Sequence, residues 1–133
     1  MNDLMSAQSE LLKQRSMSFG LTVLRLIDNI PTTPSGQVIS RQLAKSATSV
    51  GANYRACCNA RSRLEFIARL GIVVEEIDET LYWLDVIAGS RLRPPFHVDP
   101  VRAEASQLRA IFAKSLGTAR TNFKMNKSND QIK

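Results

Sequence analysis

Apolar residues recur along this chain at helical spacing, in four long stretches. In the first stretch, residues 4–30, they stand three, four or seven positions apart, and Ser16 fills the one gap in the series. Such spacing places side chains on one face of a helix. The pattern therefore predicts an amphipathic helix that ends at Pro31 and Pro34. Its apolar positions are Met5, Leu12, Phe19, Val23, Leu26 and Ile30.

The second stretch, about residues 34–59, has an apolar stripe bordered by a row of small and polar side chains. Thr33 and Pro34 form a typical cap and first-turn pair. The row lies beside the stripe, on the edge of the predicted core, so we expect a seam where a neighbouring helix packs closely. The stripe is Ile39, Leu43, Ala47, Val50, Tyr54 and Cys57, and the row is Gln42, Ser46, Ser49 and Asn53.

The third stretch, about residues 63–89, is apolar over an unusually wide arc. Ser62 and Glu65 predict a capping box at its start, so only residues 59–62 separate it from the second helix. Helices joined so closely are antiparallel neighbours. Two apolar rows cover about 160° of the helix, which favours a central position or a second contact between subunits. The rows are Phe66, Leu70, Val73, Ile77 and Leu84, and Ile67, Val74, Leu81 and Ala88.

The fourth stretch, about residues 100–123, follows a proline-rich break over residues 90–100. We expect Asp99 and Pro100 to cap and open this helix. Four amphipathic helices with short joins predict an all-α, antiparallel up-down-up-down four-helix bundle over residues 1–125, with a flexible polar tail over 126–133. The apolar positions of the fourth stretch are Val101, Ala105, Leu108, Phe112, Leu116, Ala119 and Phe123.

The residue types that carry enzymatic chemistry are scarce. His97 is the one histidine, and Cys57 and Cys58 are adjacent, which is not the spacing of a zinc site or of a disulfide framework. Glu75 and Glu79 share a helix face but lack the Glu-x-x-His step of di-metal carboxylate bundles. No catalytic triad or phosphate-binding glycine loop has a supporting motif. We expect no enzyme, no cofactor and no bound metal.

The chain has no apolar run near the roughly 18–20 residues of a membrane span. Its first residues carry Asp3 and Glu10 and lack the apolar core of a signal peptide. The adjacent cysteines fit a reducing compartment. We therefore expect a cytoplasmic protein that makes no membrane contact.

Positive charge is concentrated in two regions of the chain. The net charge is +6, residues 31–60 contain no acidic residue, and residues 94–133 hold seven basic and three acidic residues. Helices two and four of an up-down bundle point the same way, so the end of helix four approaches the turn between helices two and three. The two basic groups then share one end of the bundle.

A basic surface of this kind suits phosphate contacts, and without interleaved aromatic residues its binding would be led by shape and charge. The alternative is an ordinary solvated surface. The predicted nucleic-acid-binding residues are Arg41, Lys45, Arg55, Arg61, Arg63, Lys114, Arg120 and Lys124.

The most specific wording of the chain lies between Gln42 and Leu84. It reads QLAKSATSVGANYRA, ARSRLEFIARL and EEIDETLYWL, with a weaker match in QLRAIFAKSLGTARTN. This text resembles the bacterial four helix bundle protein family, whose members are encoded in intervening sequences of large-subunit ribosomal RNA genes or are chromosomal relatives of such proteins. The family has an acidic residue after the Asn-Tyr-Arg step, where this chain has Ala56, Cys57 and Cys58.

The resemblance implies a single bundle that assembles into a homopentamer and binds nucleic acid. A similar fold serves the accessory proteins of diversity-generating retroelements, which are basic pentamers that bind a reverse transcriptase and nucleic acid. Our leading hypothesis is a non-enzymatic homo-oligomer that binds RNA or DNA. The alternative is a protein-interaction adaptor, such as a reverse-transcriptase accessory protein, whose charge is incidental.

Overall fold

Four α-helices form nearly all of the chain in the computed structural model, which describes residues 3–132 and the side chains of residues 7–129. Consecutive helices pack side by side, and the first also contacts the fourth, more sparsely; among the described residues the diagonal pairs make no backbone contact. This arrangement confirms the predicted all-α four-helix bundle. The helices are α1 (Asp3–Ile27), α2 (Pro34–Cys58), α3 (Arg63–Ser90) and α4 (Pro95–Ile132).

Two of the three predicted helix caps are present. The Thr33 hydroxyl accepts a hydrogen bond from the Gly36 amide at 3.1 Å, and the Ser62 hydroxyl accepts one from the Glu65 amide at 3.0 Å. The Glu65 carboxylate accepts from the Arg61 amide at 3.0 Å, one residue before the cap itself. The bonds from the Gly36 and Glu65 amides satisfy donors that the first turn of a helix leaves without partners, and they fix where α2 and α3 begin.

The core lies along the bundle axis, where the predicted stripes of all four helices meet. The Phe112 ring is fully buried and lies 5.1 Å from the Tyr54 ring, so side chains of the diagonal helices α2 and α4 touch at the centre. Ser16 is buried in the gap of the first stripe, as predicted, and its hydroxyl donates to the Lys13 carbonyl. Met5 lies outside the described side chains.

The predicted seam of small and polar residues on α2 faces α3. Ser46 is buried there, and its hydroxyl lies 3.0 Å from the hydroxyl of Thr80 on α3. Ser49 and Asn53 are half-buried, whereas Gln42 is exposed. The two helices are therefore in close contact at Ser46, and the seam is exposed at its start, at Gln42.

The wide apolar arc of α3 follows from its place between α2 and α4. Leu70, Val73 and Ile77 of the first row are fully buried, whereas the second row is half-buried. Packing against two neighbouring helices accounts for much of that width. None of the helices, over the residues that the structure describes, is long and apolar enough to cross a membrane.

The start of α4 differs from the prediction. The helix begins at Pro95, where the Pro94 carbonyl accepts from the amide of Val98 at 3.3 Å. Asp99 therefore does not cap the helix, and Pro100 lies inside it. Proline is tolerated near a helix start, and the extra turn buries Val98 completely on the core stripe.

The end of α4 also extends beyond the predicted boundary. The helix continues to Ile132, through most of the segment predicted as a polar tail. That segment contains no glycine or proline to stop it. The flexibility of the tail stays a prediction, and Lys133 lies outside the described residues.

Gly36 provides a test of the α1–α2 connection. A Cβ atom at this position would collide with the Pro31 carbonyl oxygen, whereas one at Gly117 would meet open space. We expect Gly36→Ala to destabilise the protein by about 2 kcal/mol or more, because the loop must shift. Gly117→Ala should stabilise it by about 0.5–1 kcal/mol through helix propensity. Chemical denaturation followed by circular dichroism measures both, and equal effects would contradict the steric argument.

Candidate nucleic-acid interface

The α2–α3 turn forms one end of the bundle, and the C-terminal part of α4 reaches the same end. Arg102 and Arg109 of α4 pair with Asp85 and Asp78 of α3, so α4 runs antiparallel to α3. Farther along, the Arg120 guanidinium lies 4.0 Å from where a side chain on Gly71 would begin. Lys124, one turn beyond Arg120, is therefore level with the first turns of α3.

Five of the eight predicted residues meet at this end. Arg55 lies in the last turn of α2, Arg61 is in the turn itself, and Arg63 begins α3. Arg120 and Lys124 approach from α4. We call this set the basic end: Arg55, Arg61, Arg63, Arg120 and Lys124.

The other three predicted residues lie elsewhere, so the expectation that all eight share one end is wrong. Arg41 and Lys45 precede Arg55 on α2 by about 21 Å and 15 Å of helix length. Lys114 lies about 9 Å above Arg120 on α4 and about 120° around the helix from it. Position along a helix separates these residues, although the sequence groups them by charge.

All eight predicted residues are exposed, and none forms an ion pair with a described side chain. Other cations join helices instead. The Arg15 guanidinium lies 2.6 Å from the Glu104 carboxylate between α1 and α4, and this hydrogen-bonded carboxylate raises the pKa of Arg15. The basic residues thus divide into those that bridge helices and those that face solvent.

The basic end has little negative charge to offset it. No acidic residue occurs between Asn29 and Leu64, or between Ala105 and Asn129. Two acidic residues with described side chains lie at or near this end, and both have partners. The Glu65 carboxylate accepts from the Arg61 amide and lies 4.0 Å from the Arg69 guanidinium, and Glu10 of α1, in the same surface groove as Arg55, lies 3.1 Å from the Lys13 ammonium. The exposed guanidinium and ammonium groups are therefore free to contact an external polyanion.

Lys45 has a partner of a different kind. The half-buried Glu76 on α3 has a raised pKa because burial disfavours its charge, and neighbouring Glu79 and Glu75 add repulsion. The Lys45 charge acts against this shift. Lys45 thus belongs electrostatically to the α2–α3 seam, and the sequence pattern did not reveal that role.

In the described part of the chain, metal-ligating side chains form no cluster. No set of three His, Cys, Asp or Glu residues among those described could hold an ion. Cys57 and Cys58 are free thiols, and burial, with the neighbouring Cys58, raises the pKa of Cys57 to about 12. His97 is exposed in the first turn of α4 rather than in a loop, with its ring 5.3 Å from that of Phe96.

One surface feature has no counterpart among the predicted site residues. A groove of about 610 Å³ runs along the outer side of α1 and α2. Its α1 wall carries Met17, Leu21 and Leu24, which are 62%, 47% and 36% exposed. Their spacing of four and three beside the core stripe was the signal in the sequence, since it marks a second apolar row on α1.

Comparison with known proteins gives a family and a fold. Residues 10–114 match the model of a family described as 23S rRNA-intervening sequence protein. A crystal structure of a protein with unknown function from the S23 ribosomal protein family of Bacteroides thetaiotaomicron superposes with a TM-score of 0.76 at 25% sequence identity. The similarity covers 82% of this chain and 97% of that one. No curated protein matches the chain.

The raised pKa of Glu76 predicts a pH-dependent stability. Because its proton is held more tightly in the folded state, stability is lost as the pH rises from the ordinary carboxyl value through the raised one. We expect Glu76→Gln to raise the free energy of unfolding at pH 7 and to make no difference well below pH 4. Urea denaturation across this pH range measures the effect.

The control for this prediction is Glu10→Gln. Glu10 is an exposed residue whose pairing with Lys13, at 3.1 Å, should contribute less than about 1 kcal/mol. Equal free energies of unfolding at pH 7 for the Glu76→Gln variant and the unsubstituted protein would contradict the assignment of an unfavourable charge at Glu76.

Proposed function

Because this chain belongs to the 23S rRNA-intervening sequence protein family, we propose that it is a non-enzymatic, homo-oligomeric helical bundle that binds RNA or DNA through its basic end. The observation that carries the proposal is the basic end itself. It gathers five exposed cations from α2, the turn, α3 and α4, and none has an ion-pair partner among the described side chains. We place this binding in the cytoplasm.

Phosphate contact is the chemistry that this surface supports best. Each guanidinium or ammonium group that neutralises a phosphate releases condensed counterions, which makes binding favourable and salt-dependent. The large exposed apolar side chains in the described part of the chain include Leu64 near this end, whereas Tyr82 and Phe96 lie away from it. The aromatic side chains near this end, Phe66 and Phe123, are half-buried, so backbone contacts would carry most of the affinity and sequence preference would be weak.

Self-association accounts for apolar surface that a single bundle leaves open. Met17 and Leu21 on α1 and Tyr82 on α3 are about half exposed or more, and they lie outside the basic end. Apolar surface of this kind is often covered by a protein partner. The proposal therefore separates two surfaces, one for copies of the chain and one for nucleic acid.

A protein-interaction adaptor is the second candidate function, and the α1–α2 groove favours it. In that case a different protein would occupy the groove and the positive charge would serve only solubility. The two functions differ in one measurable respect: only nucleic-acid binding requires the cations of the basic end.

We expect the variant R61A/R63A/R120A to weaken binding of labelled RNA and DNA. Fluorescence anisotropy across a salt series should show a slope of log K against log salt that is smaller by about 0.7–0.9 for each phosphate that the variant no longer neutralises. The matched control is R41A/K45A/K114A, which removes the same charge from exposed residues outside the basic end. The control should retain most of the affinity and the salt slope.

Three outcomes would refute nucleic-acid binding at this end. The unsubstituted protein could fail to bind at low salt, or it could bind without salt dependence. Alternatively, the two triple variants could lose affinity equally, in which case net charge rather than the arrangement of residues determines binding.

Self-association predicts a solution mass well above that of the 14.8 kDa chain. Light scattering coupled to size exclusion at micromolar concentration measures it. The mass should not change after nuclease treatment, because the proposed contacts between copies are apolar. A monomer under these conditions would refute the homo-oligomer.

A further inference from the structure

Four cations form a row along the flank of α4 that faces α3. They are spaced by seven, eleven and four residues, so they lie on one side of the helix. The first two are used inside the bundle, where Arg102 pairs with Asp85 at 2.9 Å and Arg109 pairs with Asp78. The other two form no ion pair with a described side chain. The row is Arg102, Arg109, Arg120 and Lys124.

The series of carboxylates on α3 stops before this row of cations does. The two paired aspartates stand seven residues apart on α3, and the next step of seven toward the α2–α3 turn leads to Gly71. The Arg120 guanidinium reaches to within 4.0 Å of where a Cβ atom on Gly71 would lie. A carboxylate at this position would therefore pair with Arg120, as the two aspartates pair with their arginines.

Packing does not require the glycine at position 71. In the described part of the chain, a Cβ atom there would meet no atom of another helix within 4 Å except the Arg120 guanidinium. Gly117 lies at nearly the same level on α4, and a Cβ atom there would meet open space. Glycine also weakens a helix interior relative to alanine. The effect of Gly71 is to leave the Arg120 guanidinium uncovered by α3.

Neighbouring charges limit where an external anion can lie on this flank. Glu75, one turn farther along α3, is exposed and forms no ion pair with a described side chain, and Asp78 follows it. These carboxylates repel an anion that approaches from their side. In the opposite direction the row continues with Lys124, and Arg63 begins α3. An anion is therefore favoured at Gly71 and toward the turn.

We propose that the open position between Arg120 and Gly71 is a phosphate-binding site. The backbone of a bound nucleic acid supplies there the anion that α3 supplies to Arg102 and Arg109. The inference rests on the proposed function, and it specifies a path for the nucleic acid along α4, from Lys124 to Arg120. A guanidinium binds phosphate through paired, planar N–H donors. Because phosphate contacts carry no sequence information, this site would not distinguish base sequences.

The test supplies the missing carboxylate. Gly71→Asp should capture the Arg120 guanidinium and weaken binding of labelled RNA roughly five- to eightfold at about 0.1 M salt, because one lost phosphate contact lowers the salt slope by about 0.7–0.9. R120A should have about the same effect. The double variant G71D/R120A should lose about as much as either single variant, since both changes remove one contact. Fluorescence anisotropy measures the affinities, and circular dichroism checks the helical content.

The matched control is Gly89→Asp, which should keep nearly the full affinity. It places the same charge on the same helix about 27 Å farther along the axis, where a Cβ atom would meet open space. A second measurement needs no substitution. In amide NMR spectra of the unsubstituted protein, added RNA should shift the signal of Gly71 and leave that of Gly89 in place.

An unsubstituted protein that does not bind RNA overturns this inference and the proposed function together. Binding that G71D and G89D weaken equally overturns the inference alone, because net charge then determines the loss. So do losses from G71D and R120A that multiply in the double variant, and a Gly71 signal that RNA does not shift. The NMR titration decides the matter if G71D does not fold.

Discussion

The short connection between α2 and α3 is the constraint on which the rest of this structure depends. Four residues join the helices, and the Ser62 hydroxyl and the Glu65 carboxylate bind amides at that point. A connection so short forces the helices to lie antiparallel and in contact. It thereby sets the register in which Ser46 meets Thr80 and the end at which Arg55, Arg61 and Arg63 come together.

The sequence was sufficient for the fold because its information is local and periodic. The stripe of α2 and the caps at Thr33 and Ser62 need only neighbours along the chain. The start of α4 was mispredicted because the competing signal, the burial of Val98, depends on the other helices. The grouping of Arg41 and Lys45 with the turn failed for a similar reason. The density of basic residues along the sequence does not show how far each residue lies from the turn along the helix axis. The raised pKa of Glu76 and the α1–α2 groove each depend on residues of two helices, which are distant along the sequence.

The proposed function uses surfaces that the core leaves independent. The cations of the basic end and the groove between α1 and α2 draw on different faces of the same helices, with Arg55 at their border. A homo-oligomer would repeat the basic end in every copy. Several weak phosphate contacts would then act on one nucleic acid, and the gain in avidity comes without any stronger individual contact.

The division of the basic residues has a consequence for how the surface can change. Arg15, Arg102 and Arg109 pair with carboxylates on neighbouring helices, whereas Arg61, Arg63 and Arg120 form no ion pair with a described side chain. Exposed residues without such partners usually alter stability little when they are substituted. Substitutions can therefore change the charge of this surface with little effect on the fold, which makes the bundle a tolerant scaffold for divergence and for engineering.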